Sequence, residues 1–227
     1  MRRRPQSAQA MVEFLIIIPV LILLIFGAVQ AALIYSAKNG LNYATFQAAR
    51  LGAMNHAQYS DIRRGLARGM YPMFSQVKSD RMQHTAREID NYVLITRISP
   101  DQASFAAFAE PHEGLGVNII PNDNLMFRST QQTPVSIQDA NLLKLRVQYC
   151  MRLIVPMVEH ILSSASRFNT DKVAGSFNEG ARKNPDYDAI CPGRNGFIIT
   201  AEATVRMQSA AINDSEYCGA GKKMHCP

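Results

Sequence analysis

The most apolar stretch of the chain lies near its N-terminus. Sixteen consecutive residues, Phe14 to Val29, carry no side chain more polar than Gly or Pro. A helix from Phe14 to Tyr35 would be about 33 Å long, which is enough to cross a bilayer core of about 30 Å. A core helix of a soluble domain is the alternative, but such a helix is seldom apolar on every side. The pattern therefore predicts one membrane-spanning helix.

Beyond this segment the apolar residues recur at helical spacing. One face collects Leu41, Ala44, Ala48 and Leu51. The membrane helix is therefore predicted to continue to residue 54. Its small side chains would let another helix or a sheet approach closely, either within the chain or from another molecule. A second helix is expected after Ser60, which is a good N-cap residue.

Two later segments alternate between apolar and polar side chains. In residues 143–153 and 199–207 every second side chain is apolar, as in strands with one buried face and one face in water. The branched and aromatic residues of 92–98 indicate a third strand. Together these patterns predict an α+β fold, in which a long N-terminal transmembrane helix is followed by helices packed on a small antiparallel sheet.

The charges indicate the orientation of the membrane helix. The net charge is +6, and Arg2, Arg3 and Arg4 precede the apolar run. The positive-inside rule therefore predicts a cytoplasmic N-terminus and an exported C-terminal domain. A cleaved signal peptide is the alternative, but the apolar run exceeds the usual length of about 7 to 15 residues. No dense Lys/Arg run is interleaved with aromatics, so no nucleic acid is expected as a partner.

One carboxylate stands at the start of the apolar run. Glu13 is the only acidic or basic residue from Ala10 to Tyr35. A charge at this depth costs about 1–3 kcal/mol unless it reaches the interface or finds a partner. Either the side chain extends to the lipid headgroups, or it pairs with the N-terminal amine of a neighbouring subunit.

The stretch SAQAMVEFLIIIPVLILLIFGAVQ resembles the N-terminus of TadE-like proteins, the pseudopilins of the tight-adherence subclass of type IV pili. The resemblance rests on Gln-Ala, Val-Glu-Phe and a Pro within the apolar helix. It implies that a prepilin peptidase cuts between Ala8 and Gln9, which leaves Glu13 fifth in the mature chain. Ala8 stands where the family usually has Gly. Pro19 and Gly27 mark positions at which a pilin-type helix could bend.

The resemblance extends to the C-terminal part, where LKLRVQYCMRLIVPMV and ITAEATVRMQS are similar to longer TadE-like proteins. It implies a pilin-like fold with a basic leader at 1–8, the helix and its extension at 9–54, and a periplasmic or extracellular domain at 55–227. The implied partners are the inner membrane, prepilin peptidase, other pilins and pseudopilins, and the tight-adherence assembly platform. Glu13 and Phe14 would lie at the contact between subunits.

The implied function is that of a minor pseudopilin that supports pilus assembly, surface adhesion and biofilm formation. Two alternatives remain open. The chain could be an uncleaved inner-membrane accessory of the same secretion machine. It could also be an anchored receptor or adhesin that binds a ligand through residues 163–195, a segment rich in Ser, Asn, Gly and Asp.

Four cysteines follow the membrane segment, and an even number in an oxidising compartment predicts two disulfides. We favour Cys218 with Cys226 and Cys150 with Cys191, although the other pairings stay open. A zinc site near His225 is the alternative, but no paired CxxC units are present. The sequence contains no HExxH motif, GxSxG nucleophile elbow or phosphate-binding glycine loop. We therefore expect no enzyme activity, no metal and no cofactor.

Overall fold

A computed structural model describes residues 7–77, 79–112, 114, 116–130, 135–155, 158–162, 190–214, 216–219 and 223–227, with residues 7–10 described by their backbone alone. Its dominant element is α1, Ser7–Met54, an uninterrupted helix of 48 residues. The apolar segment and the helical pattern that follows it therefore belong to one helix, as predicted.

The remaining helices are short. They are α2 (Tyr59–Met70), α3 (Arg81–Tyr92), α4 (Gln102–Phe108) and α5 (Ile137–Ala140), with a 3-10 helix at Tyr71–Phe74 and a helical turn at 158–162. The expected N-cap at Ser60 is wrong, because α2 begins at Tyr59 and its N-cap is Gln58, two residues earlier than predicted. The Tyr59 N–H donates to the Asp214 carboxylate at 2.9 Å. A distant side chain thus satisfies a donor at this helix end, which the local sequence does not reveal.

The larger sheet has four strands in the order β5-β4-β1-β7. They are β1 (Val93–Ser99), β4 (Leu142–Arg152), β5 (Gly196–Arg206) and β7 (Met224–His225). β4 pairs antiparallel with both β1 and β5, but β7 pairs parallel with β1. The fold is therefore α+β, as predicted, with a mixed sheet in place of the antiparallel sheet that we expected.

A second, antiparallel sheet was not predicted. Its strands are β2 (Glu110–His112), β3 (Val117–Ile120) and β6 (Ala211–Ile212), in the order β2-β3-β6. These strands have two to four residues each. Such short segments are too brief to show a clear period of two in the sequence.

The main core lies between the second half of α1, α2 and the larger sheet. Its fully buried residues include Leu41, Ile62, Leu66, Leu143 and Val147. α1 contacts α2, β4 and β5. The predicted apolar faces of α1 and β4 thus meet in one hydrophobic core.

The polar face of β4 differs from our expectation. Lys144, Arg146 and Gln148 are also buried, with exposed fractions of 6%, 1% and 1%. Arg146 stands directly opposite Glu202 in the β4–β5 register, and its Nε donates to the Glu202 carboxylate at 2.8 Å. Lys144 Nζ lies 3.4 Å from the same carboxylate. Paired opposite charges make the burial of this polar face tolerable.

Candidate assembly site on the N-terminal helix

The first half of α1 is surrounded by no other part of the described chain. We call residues 11–29 the membrane half; its most apolar window of 18 residues has a mean hydropathy of 2.9, and none of that window is buried. Leu15 and Leu24, on different sides, are 70% and 67% exposed. Nineteen helical residues span about 28 Å, close to the thickness of a bilayer core. The membrane half is therefore suited to a single-pass membrane anchor.

The residues singled out in the sequence lie along this half and just before it. Ala8 and Gln9 belong to the first turns of α1, and the helix continues through Pro19 and Gly27 without interruption. Glu13 is exposed, and no described side chain pairs with it. Phe14 is 63% exposed. Cleavage, bending and contacts between subunits stay predictions, but Glu13 and Phe14, the residues expected at such contacts, are exposed.

We call the second half of α1, residues 30–54, the domain half. Its first residue, Gln30, was not singled out in the sequence. Gln30 is fully buried. Its Oε1 accepts the backbone N–H groups of Ile154 and Val155, at 3.4 and 3.1 Å. Gln30 thus joins the helix to the segment that follows β4. The sequence does mark this position, because Gln30 is the only Asn or Gln side chain from Ala10 to Tyr35.

One face of the domain half is covered by α2 at very short range. A Cβ atom added to Gly65 would lie 2.8 Å from the Ala48 Cα and 2.9 Å from the Gln47 carbonyl oxygen. Ala44 and Ala48 are fully buried at this contact. The small residues noted in the sequence therefore serve packing within the chain, where they allow two helix backbones to approach closely.

The other face of the domain half remains exposed and carries large side chains. Tyr43, Phe46 and Met54 are 55%, 46% and 56% exposed. The Arg50 guanidinium lies 5.8 Å from the centre of the Phe46 ring. We call Tyr43, Phe46, Arg50 and Met54 the open face. Their spacing of three and four residues places them on one side of the helix.

A groove runs beside the open face. It has a volume of about 280 Å³ and lies between α1 and α2, with Tyr43, Arg50 and Met54 on one wall and Arg68 and Gly69 on the other. An aromatic strip beside a shallow groove is the surface that a second helix would need for side-chain interdigitation. The spacing of these residues is visible in the sequence, but which side of the helix stays exposed depends on the packing of α2.

A larger cleft of about 920 Å³ lies on another side of the domain. Its walls include Ala37 of α1, Glu88 and Tyr92 of α3, Ile154 after β4, and Arg194. Of the suggested ligand-binding segment 163–195, only residues 190–195 are described, and Gly193, Arg194 and Asn195 line this cleft. Residues 163–189 lie outside the described part of the chain.

Two charged side chains of the cleft, Glu88 and Arg194, form an ion pair. Both terminal nitrogens of Arg194 donate to the Glu88 carboxylate at 2.8 Å, and the Tyr149 hydroxyl donates to it at 3.2 Å. Burial by itself would raise the pKa of Glu88, but the Arg194 hydrogen bonds and charge outweigh burial and lower it. Burial chiefly raises the pKa of the Tyr149 hydroxyl. This network is suited to holding α3 against the sheet, with both carboxylate oxygens occupied.

All four cysteines form disulfides. Cys150 pairs with Cys191, which ties residues 190–195 to β4, and Cys218 pairs with Cys226 near β7. These are the two pairings favoured from the sequence. They argue against the zinc alternative, because disulfide sulfurs cannot serve as thiolate ligands. Among the described residues, no group of three or more His, Cys, Asp or Glu side chains is arranged to hold a metal ion.

The geometry defines a membrane-anchored α+β protein with an exposed face along its anchoring helix. The family model for TadE-like protein matches residues 8–50, which confirms the resemblance over that segment. The match lies within α1 and includes Glu13, Pro19 and most of the open face. It indicates involvement in a tight-adherence pilus system. No curated protein and no solved structure matches the chain.

Proposed function

We propose that this chain is a minor pseudopilin of a bacterial tight-adherence pilus. It would be anchored in the inner membrane with a cytoplasmic N-terminus, and it would enter or prime the fibre formed by the major pilin. In this role it supports pilus assembly, surface adhesion and biofilm formation. The observation that carries the proposal is the exposed surface along α1, because the family match falls on the helix whose membrane half and open face the described residues leave uncovered.

Glu13 supplies the register of assembly. Cleavage between Ala8 and Gln9 by a prepilin peptidase would create a new α-amine four residues before Glu13. In a helix bundle within the bilayer, the carboxylate of one subunit then pairs with the amine of the next. Pairing removes the cost of an isolated charge in a medium with few hydrogen-bond partners, so helices aligned in register are favoured.

The open face supplies packing outside the bilayer. Tyr43 and Phe46 are about half exposed in the single chain. Burying an apolar side chain completely stabilises by about 1.5–3 kcal/mol, so covering both rings with a neighbouring helix favours assembly. The neighbours would be other pilins and pseudopilins, delivered by the assembly platform. Because the groove beside Tyr43 follows the helix, it favours a helical partner over a flat surface.

The first test is the N-terminus of the membrane-extracted protein, measured by intact mass. We expect a chain that begins at Gln9. An Ala8→Gly variant, which restores the usual family residue, should be cut at least as completely, while Ala8→Leu should block cleavage. A wild-type chain that retains Arg2, Arg3 and Arg4 would contradict processing and favour the uncleaved inner-membrane accessory.

A receptor or adhesin is the second candidate, and the cleft favours it. Three residues of the suggested ligand-binding segment, Gly193, Arg194 and Asn195, line a volume of about 920 Å³. Purified pili distinguish the two functions. A pseudopilin copurifies with sheared fibres, and a Glu13→Ala variant is lost from them. A receptor remains in the membrane fraction whether or not Glu13 is present.

A further inference from the structure

The segment after β4 carries exposed apolar side chains where the membrane half of α1 ends. Ile154 is 63% exposed and Ile161 is 59% exposed. Between them, Val155 and Val158 are only 8% and 7% exposed. The segment is therefore anchored by two inward-facing valines, while Ile161 and Ile154, the latter at the edge of the 920 Å³ cleft, stay largely exposed.

Gln30 fixes the height of this segment relative to the membrane. The membrane half ends at Val29, and Gln30 is the next residue. Its Oε1 accepts the N–H groups of Ile154 and Val155 at 3.4 and 3.1 Å. These distances keep the backbone of Ile154 and Val155 within one side-chain length of Gln30, so Ile154 lies near the end of the membrane half.

We propose that Ile154 and Ile161 insert into the boundary between headgroups and acyl chains, so that the described residues 153–155 and 158–162 rest on the bilayer surface. The inference rests on α1 crossing a membrane and not on the pilus function. The Ile154 backbone is hydrogen-bonded to Gln30, the first residue after the apolar membrane half, which identifies lipid as the occupant; Ile161 is the second exposed isoleucine of the same segment. Interfacial segments of this kind bury their apolar side chains by about 5–10 Å.

The segment carries charges of both signs, because Glu159, whose carboxylate lies 3.6 Å from His160 Nε2, precedes Ile161, and Arg152 precedes Ile154. Arg152 is exposed and lies two residues before Ile154. A guanidinium at this height can bind lipid phosphates while its stem stays among apolar groups. Contact through this segment would add a second attachment to the anchor and would orient the domain on the bilayer before assembly.

The absence of tryptophan from the chain provides a direct test. Single Ile154→Trp and Ile161→Trp variants of the full-length protein are reconstituted in nanodiscs with ordinary or brominated lipids. The matched control is Phe127→Trp. Phe127 is 83% exposed and lies beside α5, which precedes the start of β4, whereas Ile154 follows its end. The 11 residues of β4 separate the two ends by about 33 Å.

We expect brominated lipids to reduce the fluorescence of both isoleucine variants and to shift their emission to the blue relative to Phe127→Trp. The control should respond only to a water-soluble quencher. Two different sites are probed, so if one of the two tryptophan variants misfolds, the other still tests the inference. The inference is overturned if both isoleucine variants respond like the control, or if neither quencher reaches them, which would indicate cover by protein.

Discussion

The two halves of α1 belong to one helix but meet very different surroundings. The domain half buries Leu41, Ala44 and Ala48 against its own domain, while Leu15 and Leu24 of the membrane half stay about two-thirds exposed. The first set of contacts is complete within a single chain. The second can be completed only by lipid or by other subunits. The covered side of the domain half thus serves the fold, while the membrane half and the open face are left for lipid or other subunits.

Two glutamates show the same division. Glu88 receives two hydrogen bonds from Arg194 and one from Tyr149. Glu13 is exposed, and no described residue pairs with it. An uncompensated carboxylate near lipid is costly. The presence of Glu13 at this position is explained if another molecule provides its partner. One carboxylate thus stabilises the fold, and we propose that the other stabilises the assembly.

The largest effect is expected from leucine truncation in the domain half. Leu41→Ala should destabilise the domain by about 2–5 kcal/mol, because a fully buried leucine leaves a cavity. Thermal unfolding in detergent measures the loss. The matched variant is Leu24→Ala on the exposed membrane half, which should leave the domain's unfolding temperature unchanged. Equal effects of the two variants would contradict the division of α1.

A glycine pair should give the next largest contrast. Gly65→Ala brings a methyl group to 2.8 Å from the Ala48 Cα, so α1 and α2 must separate. Overpacking of this kind costs about 1–3 kcal/mol, which exceeds the gain in helix propensity. Gly27→Ala is the control, because a Cβ there has no neighbour within 4 Å. Limited proteolysis should detect loosening in the first variant only.

Acid should weaken the domain through Glu88. Its folded pKa is lowered by Arg194 despite burial, so the unfolded state binds the proton more readily. The stabilisation is complete above the unfolded pKa of about 4.3 and is lost as the pH falls through the lower folded value. Glu88→Gln should cost about 1–3 kcal/mol at neutral pH.

Chemical unfolding across the acidic range measures this contribution. The wild type should lose part of its stability below the unfolded pKa, and the Glu88→Gln variant should lose less over the same interval. Glu13→Gln is the matched control, because Glu13 has no partner in the described chain. If Glu13→Gln changed the domain's acid response as much as Glu88→Gln, the distinction between the two carboxylates would fail.

The smallest effect is expected at the junction of the two halves. Gln30→Leu removes the acceptor of the Ile154 and Val155 N–H groups. We expect a loss of about 1 kcal/mol, confined to the segment after β4. Hydrogen exchange should be faster at these two amides, with Leu145 and Val147 in the middle of β4 as internal references. Unchanged exchange at Ile154 and Val155 would show that Gln30 does not hold the segment.

The sequence predicted the elements with strong periodicity. The 143–153 alternation corresponds to β4, and the 199–207 alternation falls largely within β5, because each has one consistently apolar face. The extent of α1 was also predicted, since its apolar residues keep helical spacing on both sides of the membrane boundary. Regular patterns were informative wherever a helix or strand keeps one consistent apolar face or an unbroken apolar run.

Other features depend on contacts between distant residues. The parallel pairing of β7 with β1 brings Met224 beside Ile95, and no local pattern encodes that neighbour. The burial of Arg146 depends on Glu202 standing opposite it. In the candidate site, Glu13 was recognised from its unusual position. The open face was missed because Tyr43 and Phe46 are ordinary residues until the covered side of the helix is known.

The most direct test of the central claim is photo-cross-linking from the open face during pilus assembly. Phe46 is replaced by a photo-reactive phenylalanine analogue, and Phe127 is replaced in the matched control. We predict adducts with pilin-type subunits from position 46 only, and their loss when Glu13→Ala is added. Equal adducts from both positions, or adducts at position 46 that persist without the Glu13 carboxylate, would contradict assembly through the exposed surface of α1.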